Sequence, residues 1–235
     1  MSVVGLLHPG EMGAAVGACV DGEVRWASDG RSEETRARAA AFRDVGTVAA
    51  LVAEADVILS ICPPYATLDV ARACAGFTGI YVDANAISPG RAREVAALQP
   101  RFVDGGIVGG PPAEPGTTLY LSGAEADAVS VLFDGSPLAT RIVSNASAVK
   151  MAYAAWSKGT TAMLLAIRDV ARANGVEADW RLAAPELAEQ LPRAEAAAAK
   201  KGWRWIGEME EIADTFAAAG QPEGFHRAAA EVYRS

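Results

Sequence analysis

From Val3 to Val143 the chain alternates short β-rich runs with Ala-rich segments of helical period, an order that calls for a parallel sheet covered by helices. The runs are Val3 to Leu7, Val24 to Ser28, Val57 to Ile61, Ile80 to Val82, Phe102 to Val103, Leu119 to Leu121 and Arg141 to Val143. Helices are predicted between them at 11–20, 32–43, 47–55, 66–75 and 88–98. Asp21-Gly22, Pro63-Pro64 and Ser88-Pro89-Gly90 supply the breaks, because Pro is excluded from helix interiors and central strands.

Beyond Val143 the β-branched runs stop and Ala, Leu, Glu and Arg dominate, so this part should be helical. A long helix is predicted from Asn145 to Ala173, ended by Asn174-Gly175. Further helices are expected at 178–199, broken or kinked near Pro185 and Pro192, then at 203–219 and 222–234. The expected organisation is a doubly wound, mostly parallel α/β domain over 1–143, then a long interdomain helix and a small all-α domain over 144–235.

Composition narrows the function. Of 235 residues, 51% are hydrophobic, enough for a sizeable core. A net charge of −8 removes the broad positive field that nucleic acids and anionic membranes require. No apolar stretch approaches the ~18 residues of a membrane span, and MSVVGLLHPGEMG has no basic lead into its apolar run, so a cytosolic protein is expected. Cys19, Cys62 and Cys74 have no CxxC spacing, and His8 and His226 are the two histidines. Neither a metal centre nor a Ser-His-Asp triad is expected, which leaves chemistry to an organic cofactor.

The sharpest local signal is Val3-Val4-Gly5-Leu6-Leu7-His8-Pro9-Gly10-Glu11-Met12-Gly13, an apolar strand entering a Gly-bearing turn and then a helix. Dinucleotide turns need glycine to turn tightly, to let backbone N–H groups near a pyrophosphate, and to pack helix on sheet. Gly10 and Gly13 fill the last two roles, while His8 stands where the first glycine of G-x-G-x-x-G would be. A Rossmann-like site follows, with His8, Pro9, Gly10, Glu11 and Met12 along its turn. At the end of the second strand lies Ser28-Asp29-Gly30-Arg31-Ser32. Ser28, Arg31 and Ser32 suit the 2′-phosphate of NADP, whereas Asp29 suits NAD unless Gly30 turns it aside. NADP is favoured, with NAD possible, and Ser32 also has the chemistry of a helix N-cap.

Four blocks resemble the beta-hydroxyacid dehydrogenase family, which includes 3-hydroxyisobutyrate dehydrogenase and is related to 6-phosphogluconate dehydrogenase and the imine reductases. They are the turn at 5–13, Asp83-Ala84-Asn85-Ala86-Ile87-Ser88-Pro89, Asp104-Gly105-Gly106-Ile107-Val108-Gly109-Gly110, and Ser147-Ala148-Val149-Lys150-Met151. In detail they are similar to the branch whose C-terminal domain carries only an unknown-function label. The resemblance implies a Rossmann domain, a long helix and an all-helical domain, often dimeric. It places the general acid/base on Lys150, the substrate loop on Val108, Gly109 and Gly110, and the nicotinamide side on Met12, Pro63, Pro64 and Asn85, beside Cys62. Two positions depart from the pattern. Val108 stands where many members have a carboxylate-holding Ser, and Ala154 where the family has Asn.

Read on its own physics, the helix places Lys150, Tyr153, Ser157 and Thr161 in a stripe about 80° wide. Hydride transfer to a ketone leaves an alkoxide, which an ammonium stabilises and protonates. An unperturbed Lys, near pKa ~10.4, is a sluggish base, so desolvation is expected to lower it. Asn85 can orient substrate or the nicotinamide amide, or serve as a turn residue. Tyr153 and Ser157 are expected near substrate in place of the missing Asn. Trp203 and Trp205, after Lys200 and Lys201, read as packing or a dimer contact, and His226 as packing.

The expected function is NAD(P)-dependent oxidation and reduction, NADP-linked, between a small beta-hydroxy acid or similar polar alcohol and its carbonyl form. Imine reduction is the alternative within enzymes, and a silent NADP-binding sensor or subunit the alternative outside them. The resemblance also implies a homodimer through the helical domain, which is reduced here relative to typical members and would need a partner subunit to close its cleft.

Overall fold

The computed structural model describes residues 2–234. Its strands are β1 (Val3–Leu6), β2 (Glu23–Trp26), β3 (Arg43–Asp44), β4 (Val57–Ser60), β5 (Ile80–Asp83), β6 (Phe102–Val108), β7 (Thr117–Ser122) and β8 (Leu138–Ile142). The helices between them are α1 (Glu11–Gly17), α2 (Glu33–Arg38), α3 (Val48–Glu54), α4 (Thr67–Ala73), α5 (Pro89–Ala96) and α6 (Ala126–Ser130). After β8 come α7 (Ala146–Ala173), α8 (Glu177–Ala183), α9 (Pro185–Ala218) and α10 (Gly224–Val232). The chain divides into two compact units, Met1–Lys150 and Met151–Ser235, so the division lies inside α7.

The first unit is one eight-stranded sheet in the order β3-β2-β1-β4-β5-β6-β7-β8. The six strands from β3 to β6 are parallel, β7 runs antiparallel to β6, and β8 runs parallel to β7. Residues of β4 are buried throughout, as a strand covered on both faces must be. Their side chains alternate between two cores. Val57 and Leu59 pack with Val4, Leu6, Val82 and Val103, while Ile58 packs with Leu51, Ala71, Tyr81 and Val95. The chain crosses from β1 out to β3 and returns to β4, so β1 and β4 lie side by side at the switch point. In open α/β sheets ligands bind there, outside the carboxyl ends of the strands.

The first turn of α7 is fastened to the sheet by a buried carboxylate. Asp104 of β6 accepts the backbone N–H of Ser147 at 2.8 Å and the Ser122 hydroxyl at 3.1 Å, and also takes the Ser147 hydroxyl. Ser122 in turn accepts the N–H of Ala146 at 3.0 Å, and the Asn145 side chain caps the N–H of Ala148 at 2.8 Å. These bonds satisfy donors that a helix start otherwise leaves open. Burial pushes the Asp104 carboxyl upward, while the bonds from Ser147 and Ser122 pull it back. Gly106 completes the seat, because a Cβ there would lie 2.8 Å from the Ala146 carbonyl and 2.9 Å from Lys150 Cβ.

In the second unit Leu164, Leu165, Leu191 and Ala194 form a core, with Trp180, Ala198, Val232 and Tyr233 against it. Tyr233 donates to the Lys158 carbonyl at 2.5 Å, Trp205 meets its ring edge-on at 5.2 Å, and Lys158 pairs with Glu208. His226 is buried against Phe216, with ring centroids 4.3 Å apart. Trp203 is exposed under the Arg204 guanidinium, 5.0 Å from its ring centre.

Several sequence expectations need correction. The two-residue β3 and the short α6 carry too few residues for a periodic signal and were not expected. The expected break near Pro185 is present, between α8 ending at Ala183 and α9 beginning at Pro185, but α9 then runs for 34 residues with no break at Pro192 or between 199 and 203. Pro185 opens α9 in its first turn, where a missing N–H costs nothing, but Pro192 sits inside it. Pro192 is exposed, so water can reach the carbonyl that its ring leaves unbonded. Strand β6 extends through Val108, which makes Asp104 to Val108 sheet rather than loop.

Replacing Asp104 with Ala should cost about 3 kcal/mol by stranding buried donors, a fall in Tm of roughly 6–12 °C. A thermal melt followed by circular dichroism checks it.

Candidate functional site

Four parallel strands deliver their following residues to one edge of the sheet: His8 after β1, Ser28 and Arg31 after β2, Cys62 after β4 and Asn85 after β5. The structure brings these sequence candidates together at the switch point. Charge links them, since Arg31 acts on His8 and Asp29 acts on Arg31.

The turn after β1 is tight. His8 has φ of 154°, in the region that favours glycine, at the position where a dinucleotide turn would place its first glycine. Its carbonyl accepts the N–H of Gly10 at 2.7 Å, and a Cβ on Gly13 would lie 2.4 Å from the same oxygen. Gly13 is therefore required by the close approach of α1 to the turn, as the sequence pattern anticipates. Pro9 is buried, Gly10 has no neighbour within 4 Å of where its Cβ would stand, Glu11 is exposed, and Met12 packs on the sheet core. The His8 ring is mostly buried, which pushes its pKa down to about 4, with the nearby Arg31 adding to the shift. Its Nδ1 finds no hydrogen-bond partner among the described residues, and neither does the buried Nε of Arg31. Burial also lowers the Arg31 pKa.

Around Arg31 the second strand ends in a compact turn. The Ser28 carbonyl accepts the Arg31 N–H at 3.1 Å and the Arg36 guanidinium at 2.9 Å. The Ser28 hydroxyl bonds Asp44 at the end of β3 and lowers that carboxyl. Asp29 is exposed, with Gly30 at φ of 69° turning the chain after it. Ser32 caps α2, accepting the Thr35 N–H at 3.3 Å. Asp44 was missed by sequence reasoning because β3 is too short to announce itself.

Asn85 is buried and engaged with the protein. Its carbonyl oxygen accepts the Cys62 N–H, its amide donates to Ser60 at 3.2 Å, and its own N–H donates to Asp83 at 3.1 Å. It thus ties the ends of β4 and β5 together and fixes the Cys62-Pro63-Pro64 turn. The Cys62 thiol is pushed up to about 11, first by burial and then by Asp83, so it stays protonated. Pro63 is exposed and Pro64 half-buried. Tyr65, which follows Pro64 and is 82% exposed, is an aromatic surface at this edge that the sequence reading passed over.

Lys150 is half-buried and its Nζ donates to the Ile107 carbonyl at 2.7 Å. That places the ammonium beside Val108, Gly109 and Gly110, which leave the carboxyl end of β6, and both glycines are exposed. The Ile107 carbonyl is a backbone acceptor, invisible to a search for side-chain partners. In the second unit, Tyr153 is exposed, and Ser157 spends its hydroxyl on the Tyr153 carbonyl at 3.1 Å. Ala154 is fully buried. Among the described residues no three His, Cys, Asp or Glu side chains are grouped to hold a metal ion, and no helix is long and apolar enough to cross a membrane.

Residues 171–235 match the domain of unknown function DUF1932. The chain is similar in structure to a conserved protein of unknown function described as structurally similar to 3-hydroxyacid dehydrogenases. That match has a TM-score of 0.71 and 25% identity, covering 99% of this chain and 97% of the other. This chain has the beta-hydroxyacid dehydrogenase fold, with a DUF1932 domain at residues 171–235. The fold is shared with Mycobacterium tuberculosis 3-hydroxyisobutyrate dehydrogenase with L-serine, at TM-score 0.69 and 20% identity over 100% of this chain and 93% of that one. An Aspergillus terreus reductive aminase in complex with NADPH and ethyl levulinate also shares it, at TM-score 0.61 and 14% identity over 100% and 93%. An uncharacterized 28.5 kDa protein of Methanothermus fervidus is 30% identical over 162 residues, which span 66% of this chain and 64% of that protein.

Replacing His8 with Gly should raise stability by about 1 kcal/mol, because the backbone strain and the stranded imidazole both go. A Tm increase of about 2–4 °C is the expected readout.

Proposed function

We propose that this chain is an NADP(H)-linked oxidoreductase that interconverts a small beta-hydroxy acid, or a similarly polar alcohol, with its carbonyl form. The observation that carries this reading is the Lys150 ammonium, held at 2.7 Å by the Ile107 carbonyl on the sheet edge where His8, Arg31 and Cys62 also end. That edge fits a dinucleotide. It offers open space beside Gly10 and two buried polar atoms without partners, His8 Nδ1 and Arg31 Nε.

NADP(H), when bound, supplies or accepts the hydride. The chain's residues do the rest. Arg31 binds the phosphate that distinguishes NADP from NAD, and the tight turn from His8 to Met12 receives the dinucleotide backbone. Asn85 is a positioning residue, since its side chain is spent on Ser60 and Cys62 and holds the turn that lines the nicotinamide side. Lys150 stabilises the developing alkoxide and gives it a proton in reduction, and removes the proton in oxidation. The Ile107 carbonyl orients that ammonium, taking the part that an Asn at position 154 would have played. Val108, the last residue of β6, and the Gly109-Gly110 loop that follows it border the substrate beside this ammonium.

A second reading, imine reduction, is favoured by Val108 and the buried Ala154, which put apolar groups where a carboxylate-binding site would place polar ones.

The helical unit supports a homodimer. Trp156, Met163 and Val170 are exposed at intervals of seven residues and so form one apolar stripe along α7. A second copy of the chain would cover it. Trp156→Glu should convert the dimer to monomer, as read by light scattering.

The test of function is a titration with NADPH and NADH, followed by nicotinamide absorbance against beta-hydroxy acids, their keto forms and cyclic imines. Lys150→Ala should lower kcat by at least ~100-fold. Arg31→Ala should weaken NADPH by about 10–100-fold and leave NADH nearly unchanged. Nucleotide binding without turnover on any of these would instead mark a sensor or silent subunit.

A further inference from the structure

Folded chains rarely leave a buried polar side-chain atom without a partner, and each such atom calls for a reason. At the carboxyl edge of the sheet two occur in residues that interact. His8 Nδ1, after β1, and Arg31 Nε, after β2, are both buried without hydrogen-bond partners among the described residues. His8 moreover occupies a backbone conformation that glycine would adopt more cheaply, so the imidazole is kept at a cost in strain. Arg31 Nε is a donor already and His8 Nδ1 becomes one when the imidazole is protonated, so the pair then matches a ligand group that carries acceptors only and bears negative charge. A phosphate is such a group, and Arg is the side chain best shaped for it.

The choice between the phosphates of a dinucleotide follows from placement and charge. Arg31 follows β2, where the adenosine ribose of a Rossmann-bound dinucleotide is expected. The 2′-phosphate is a monoester and carries up to two charges, whereas each pyrophosphate unit carries about one. We propose that His8 and Arg31 together clamp the 2′-phosphate of NADP(H), and that His8 takes up one proton from solvent as the phosphate enters. This rests on the reading that the chain binds NADP(H), and adds a second phosphate ligand and a proton to it.

The surrounding charges are of both signs. Arg31 is the cation that acts on His8, and with burial it keeps the imidazole neutral in the free protein. Facing Arg31 are the Cys62 thiol, protonated below about 11, and the exposed Asp29. Ser28 carries the Asp44 carboxylate on its hydroxyl and the Arg36 guanidinium on its carbonyl, and Glu11, three residues beyond His8, is exposed. A dianion between His8 and Arg31 reverses the field at the imidazole. Because protonation then accompanies binding of the dianion, NADPH affinity should fall by up to about tenfold per pH unit as pH rises from about 6 to the pKa of the bound state, whereas between about 4 and 6 the proton lost by the 2′-phosphate offsets the one His8 takes up.

The chain has two histidines, so imidazole resonances of the labelled protein can be assigned to His8 and His226 by comparison with His8→Gln. Free protein should show His8 titrating near 4, and saturating NADPH should move it to about 6.5 or above. NADH should not move it. In Arg31→Gln the free protein should show His8 titrating higher, and NADPH should shift it less. A His8 titration unchanged by bound NADPH overturns the clamp and leaves the oxidoreductase reading standing. An equal shift with NADH overturns the assignment to the 2′-phosphate, and failure of NADPH to bind overturns both readings.

Discussion

The first turn of α7 rests on β6 because a carboxylate and a missing side chain are placed three and one residues before Ile107. Asp104 takes the N–H and hydroxyl of Ser147, and Gly106 leaves room for the Ala146 carbonyl. A charge this deep is tolerated because it is met by hydrogen-bond donors at a helix start, where the backbone dipoles also favour an anion. The reach of Lys150 to the Ile107 carbonyl follows from that seat. Nothing in the lysine itself would bring it there.

The sheet edge has a different logic, because its residues come from far apart in sequence and meet through topology alone. Strands β1, β2, β4 and β5 all end on one side, so whatever follows each of them is gathered there. The result is a cluster in which the Arg31 charge is felt by His8 and the Cys62 turn is fixed by Asn85. Hydrogen bonds that fix the backbone and buried polar atoms without a partner among the described residues coexist within a few residues. Ser28, Ser32 and Asn85 are of the first kind, while His8 and Arg31 are of the second.

Much of this was legible in the sequence. The alternation of β-rich and helical segments carries the parallel sheet, and Asn174-Gly175 marks the end of α7. The tight turn from His8 to Gly13 could be placed because strand, turn and helix follow one another within a few positions. What could not be read has physical reasons. A strand as short as β3 has no period, and Pro192 is tolerated in α9 because its face is exposed, a tertiary fact. Asn85 has the same side chain whether it meets a ligand or ties two strands together, and only the positions of Ser60 and Cys62 show the ties it makes. The Ile107 carbonyl belongs to every residue type alike and has no letter in the sequence. His8 could be seen to replace a glycine, but not to keep that glycine's backbone angle.

The reversal at β7 has a geometric consequence. Because β7 and β8 run against β6, the chain leaves β8 level with the first half of β6 rather than with its end, one strand away across β7. Helix α7 can therefore begin at the level of Asp104, and its fifth residue, Lys150, reaches the Ile107 carbonyl. The segment from Ser147 to Lys150 acts as a ruler with a fixed phase. One residue added to it would lift the ammonium by about 1.5 Å and swing it by about 100° around the helix axis, away from the strand. Length and register, more than the choice of side chain, hold this lysine at the edge of the sheet.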